Sequence, residues 1–151
     1  MQYLENFICL SYQTMDFLFP EDNVITAGNS RGSLNYLGEE LKTIDFDKAV
    51  VQLRFLRGPA AHIDYKKVRT TVILKNDGLM EDANHFALLT SADCKVTPVS
   101  LDTFSLFGQP YDNLHKAGIL ACSFYEEKIA YLIDLNVLLK KYFESGSTER
   151  R

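Results

Sequence analysis

Cysteine is scarce and odd in number. Cys9, Cys94 and Cys122 are the whole complement of the 151-residue chain, and no short spacing pairs any two of them. That leaves no disulfide framework and no Cys-based zinc pattern; each lies in or beside an apolar run, as buried thiols of a reducing cytoplasm do. No apolar run approaches the roughly 20 residues that span a bilayer, so membrane insertion is not expected. The first ten residues carry an acid and no basic segment, unlike a signal peptide. Charge of one sign is also lacking: the net charge is −4, with residues 1–75 balanced and the acidic excess in residues 76–151. A general nucleic-acid or membrane-surface binder needs the opposite bias.

The constellations that carry chemistry are missing too. His62, His85 and His115 are scattered, with no Cys, Asp or Glu at a metal-ligand spacing, so no metal or cofactor is expected. Residues 28–33 (GNSRGS) have a phosphate loop's composition without its Lys-Ser/Thr ending or a following long helix, and read as a plain turn. No Gly-x-Ser-x-Gly occurs. Glu39-Glu40 and Glu126-Glu127 are adjacent pairs whose side chains point apart, so they read as solvated hairpin tips and not as an acid/base pair. Asp45 and Asp134 each follow an apolar strand, where a carboxylate caps backbone N–H groups more readily than it acts as a nucleophile. No catalytic residue can be nominated, and the chain is expected not to be an enzyme.

What is present is an ordinary soluble composition, 46% hydrophobic and 24% charged, in one domain's length. Residues 7–12 and 15–19 alternate loosely around Gln13-Thr14 and read as a first hairpin. Residues 21–27 are a short strand or turn, residues 51–65 a loop or frayed helix broken by Gly58-Pro59, and residues 66–74 a strand ending in the turn signal Asn76-Asp77-Gly78. Residues 85–90 and 95–101 are two more strands, and residues 102–113 a loop with three aromatics. Residues 119–124 and 128–133 form a second hairpin whose last strand is apolar on both faces. A helix follows, with Leu135, Leu138, Leu139 and Tyr142 on one stripe and Lys140 and Lys141 in the last turn.

One stretch echoes another. Glu39-Glu40 through Ile44-Asp45-Phe46-Asp47 parallels Glu126-Glu127 through Ile133-Asp134-Leu135-Asn136: an acidic turn, an apolar strand, then a cap. Two similar units, one in each half, are the expectation. Eight or nine short strands and one helix make the class mostly β, in small barrels or a sandwich.

Residues 117–139 (AGILACSFYEEKIAYLIDLNVLL) resemble the end of a CheW-like domain, the adaptor module of bacterial chemotaxis arrays. Residues 7–28 resemble that family's opening hairpin, and residues 34–46 (LNYLGEELKTIDF) its Asn-x-Arg-Gly core signature. Asn35 and Gly38 match the signature, but its Arg is replaced by Leu37. The resemblance implies two SH3-like five-stranded β-subdomains sharing a core, a C-terminal helix, and a domain over residues 1–143 with a flexible tail at 144–151. It further implies a non-enzymatic scaffold in chemotaxis-type signal transduction, docking protein partners (a histidine kinase, receptor cytoplasmic tips) through apolar surfaces. Asn35, Tyr36, Leu37 and Gly38 carry over as one contact region. An Arg forks onto carboxylates whereas Leu only packs, so kinase coupling does not carry over with the fold.

Two further surfaces stand on the residues themselves. Phe104, Phe107 and Tyr111 in the aromatic loop either face a partner or tuck into the core. Arg54, Arg57, Lys66, Lys67 and Arg69, interleaved with Phe55, His62 and Tyr65, supply the alternative reading: a small barrel binding single-stranded nucleic acid. Overall acidity opposes it, and an acidic partner protein suits the same patch.

Overall fold

The computed structural model describes residues 4–13, 15–28, 35–52, 68–81, 83–106, 118–125 and 128–149. The chain divides into two compact units, one made of residues 1–21 with 95–151 and the other of residues 22–94. The first unit is thus assembled from the two ends of the chain and the second from the segment between them.

The first unit is built on a six-stranded sheet. β1 (Leu4–Ser11) and β2 (Met15–Pro20) form the expected hairpin, in antiparallel register with Cys9 opposite Leu18. β11 (Ile119–Tyr125) and β12 (Lys128–Ile133) form the second, and β12 lies parallel to β2. With β9 (Asp93–Ser100) and the two-residue β10 (Ser105–Leu106), the strand order is β10-β11-β12-β2-β1-β9. A turn of 3-10 helix at Leu101–Thr103 separates β9 from β10.

No residue of β12 is exposed, as its two apolar faces predict. Phe17 on β2 stacks on Tyr131 with ring centres 5.7 Å apart and takes the edge of Tyr12 at 5.9 Å. The C-terminal helix, α2 (Leu135–Glu149), buries Leu138 and Leu139 completely and half-buries Leu135 and Tyr142, the stripe expected of it. Each fully buried leucine stabilises by about 1.5–3 kcal/mol, so the helix is held by its apolar face. It runs on to Glu149, six residues past Phe143.

The second unit carries a four-stranded sheet of order β3-β7-β8-β6, formed by β3 (Val24–Gly28), β7 (Thr70–Lys75), β8 (His85–Thr90) and β6 (Lys42–Asp45). β7 and β8 are antiparallel, and β6 is parallel to β8. A short hairpin of β4 (Asn35–Tyr36) and β5 (Glu39–Glu40) completes it. One element goes beyond the cap and the loop or frayed helix that the sequence suggests here: a helix, α1 (Phe46–Gln52). Phe46, Ala49 and Val50 are fully buried, a helical spacing of i, i+3 and i+4 too short to stand out beside the apolar strands. Asp47 fastens α1 to the end of β8: the Thr90 hydroxyl donates to Oδ1 at 2.7 Å, and the Ser91 N–H to Oδ2 at 3.1 Å.

The echo between the halves is real in topology. In each unit a hairpin (β1-β2, β7-β8) lays its second strand parallel to the strand that leads into a helix. Asp134 and Asp45 are the N-caps of those helices, accepting from the Val137 N–H at 3.2 Å and the Lys48 N–H at 2.8 Å, both at the third helical position. The fold is therefore mostly β, in two β units with a C-terminal helix, and the described strands form sheets of six, four and two.

Candidate interaction surface

The signature-like residues form the tip of the small hairpin in the second unit. Tyr36 pairs with Glu39, so Leu37 and Gly38 are the two central residues of the turn, with φ of 51° and 78°. Positive φ at both positions is a type I′ turn, the form whose twist matches a two-residue hairpin. Asn or Asp is the usual first residue there, because a leucine in the left-handed region costs about 1–2 kcal/mol. Leu37 is nevertheless 84% exposed and recovers none of that cost by packing. The acidic pair Glu39-Glu40, expected at the tip, instead forms β5.

The base of the hairpin is packed and its tip is exposed. The Tyr36 ring meets the imidazole of His85 edge-on, 4.8 Å between centres, and packs against the buried cluster of Leu41, Ile73 and Ala87. A Glu39 carboxylate oxygen sits 3.9 Å from His85 Nδ1. Lys42, just beyond β5, reaches the Glu81 carbonyl at 3.4 Å. Asn35 and Tyr36 therefore belong to the anchor, and Leu37 with Gly38 to the presented end.

Phe104 is half-buried in the other unit, packed against Phe7, Cys9, Leu18 and Ala130. Phe107 and Tyr111 lie outside the described residues, as do Arg54, Phe55, Arg57, His62, Tyr65, Lys66 and Lys67 of the basic cluster. Arg69, the described member of that cluster, stands 3.5 Å from Asp93 with both side chains two-thirds exposed. Among the described residues no group of three His, Cys, Asp or Glu side chains is placed to hold a metal ion, and no helix is long and apolar enough to cross a membrane.

One polar site had no reading in sequence. Asp16 lies within the apolar run of β2, its side chain only 5% exposed. It accepts from the Ser11 hydroxyl at 2.6 Å and lies 3.3 Å from Lys128 Nζ, which also donates to Ser11 Oγ at 2.8 Å. The signal was there, since an acid at a buried strand position requires a partner. Its partner, however, is 112 residues away in sequence.

No family model matches this sequence, and no curated protein matches it. Among solved structures, the chain is similar to the crystal structure of the scaffolding protein TtCheW from Thermoanaerobacter tengcongensis. The TM-score is 0.57 over 90% of this chain and 92% of that one, at 13% sequence identity. That likeness extends to the fold across nearly the whole of both chains.

Proposed function

We propose that the chain is a cytoplasmic, non-enzymatic adaptor of chemotaxis-type signal transduction, which docks protein partners through apolar surfaces on rigid β units. Its partners would be a histidine kinase, the cytoplasmic tips of receptors, or both. The observation that carries this reading is Leu37: a large apolar side chain held in left-handed backbone at an anchored hairpin tip, and left in water. Strain of that kind persists where it serves a purpose, and a partner's apolar socket would supply the burial the chain does not. The fold likeness to a scaffolding protein supports the same reading. An interface of this class buries roughly 1,200–2,000 Å² in total, so Leu37 would be one anchor within a wider patch.

Where the signature has Arg, the leucine exchanges a charge-assisted contact for an apolar one. The experiment is to substitute Leu37→Arg and measure both unfolding and affinity for the purified kinase and receptor fragments. The tip is exposed, so the expected result is near-constant stability with an affinity changed at least tenfold for one partner. Unchanged affinity for both would remove Leu37 from the contact.

A further inference from the structure

His85, the first residue of β8, stands against the base of the hairpin that carries Leu37. Its Nδ1 is closed to solvent and makes no hydrogen bond. A buried ring nitrogen without a partner is uncommon and calls for an explanation. The Glu39 carboxylate faces it from β5 at 3.9 Å, beyond hydrogen-bond length and within ion-pair reach, with the two side chains 20% and 34% exposed.

The other groups around the ring decide the sign of its response to charge. From β4 comes the Tyr36 ring, edge-on at 4.8 Å. Lys42 of β6 directs its ammonium to the Glu81 carbonyl, 3.4 Å away. Lys75 of β7 pairs with His85 across the sheet, but its side chain is exposed and its charge is screened by water. Glu39 is therefore the charge that the imidazole meets at close range.

Histidine is the side chain whose charge changes between about pH 5 and 8, and its two forms make different demands on the hairpin. With both nitrogens protonated, Nδ1 is a donor, and closing on the carboxylate draws β5 against β8. Neutral with the proton on Nε2, Nδ1 turns a lone pair toward the carboxylate, and closure is opposed. Tyr36 and Glu39 bracket Leu37 and Gly38, so a movement of the base is passed to the tip.

We propose that His85 is a positioning residue for the docking tip: its protonation clamps the hairpin on β8, so partner binding through Leu37 is tighter in mildly acid than in mildly alkaline solution. This rests on the adaptor reading and adds the regulation of the same tip. The clamp is closed while the imidazole is charged and is released as rising pH discharges it.

The test takes the full-length wild type, Glu39→Gln and His85→Gln to about pH 6 and about pH 8, where ordinary carboxylates do not titrate. Amide relaxation dispersion follows residues 35–40, and calorimetry follows the affinity for the purified kinase regulatory domain and receptor tip. In the wild type, exchange broadening at Leu37 and Gly38 should fall at least about twofold at the lower pH, and affinity should rise about two- to fivefold, the size of a partly exposed ion pair. Both responses should vanish in both variants. His62 and His115 are present in all three proteins, so a response that survives Glu39→Gln belongs elsewhere and would overturn the proposal. A wild-type hairpin indifferent to pH, or one that responds while affinity does not, would overturn it too and leave the adaptor reading standing. Absence of binding by both partners at both pH values would remove the adaptor reading itself, and this regulation with it.

Discussion

At the scale of single residues, Leu37 is where the backbone preference of the turn and the proposed docking role pull apart. A residue selected for the turn alone would be Asn or Gly, so Leu37→Asn relieves left-handed strain and should stabilise the second unit by about 1 kcal/mol, read as a higher denaturation midpoint. The sequence showed Leu37 as a departure from a family signature but could not show its backbone, because Leu-Gly is not a turn dipeptide by composition. The thiols were easier. Cys9 and Cys122 are buried and Cys94 half-buried, none in a disulfide. Burial pushes the Cys94 thiol above its ordinary value, so it should alkylate more slowly at neutral pH than a free thiol, as mass spectrometry would report. Burial, followed by the nearby Cys122, likewise raises the Tyr131 phenol above 10. The folded protein then keeps this proton at a pH where the unfolded chain loses it. The stability it contributes is full below pH 10 and is lost as pH rises through the folded value, and Tyr131→Phe should flatten that fall in alkaline denaturation.

At the scale of elements, the strands were legible and the short pieces were not. Period-2 and all-apolar runs marked both long hairpins within a few residues, because burial of strand faces leaves a pattern in sequence. The seven-residue α1 and the two-residue β4 and β5 leave no such pattern; they exist through contacts made at a distance. The join between β12 and α2 depends on a glycine. Gly118 has φ of 96°, its carbonyl accepts the Asp134 N–H at 2.7 Å, and a Cβ there would lie 2.8 Å from both the Asp134 carbonyl oxygen and the Leu138 nitrogen. Gly118→Ala combines left-handed strain with a clash against backbone and should cost at least about 2 kcal/mol in chemical denaturation. Asp134→Ala should cost about 1 kcal/mol, the ordinary value of an N-cap, so the two variants rank the parts of the junction.

At the scale of the whole molecule, mostly β architecture and repetition between halves were visible from the residues. The assignment of chain segments to units was not: residues 1–21 belong with residues 95–151, and only pairings such as β2 with β12 reveal it. The candidate contact region was legible only through family resemblance, since an exposed hydrophobic tip is indistinguishable in sequence from a core residue. The acidic net charge bears on the alternative reading, and no measurable affinity for a single-stranded oligonucleotide is expected even at low salt. The most direct test of the adaptor reading is calorimetric titration of a purified chemotaxis-type kinase regulatory domain, and of a receptor cytoplasmic tip, onto the wild type and Leu37→Asn. The prediction is saturable binding of at least one partner to the wild type, weakened at least tenfold in a variant that is itself more stable. No binding of either partner, or equal affinity in both proteins, would contradict it.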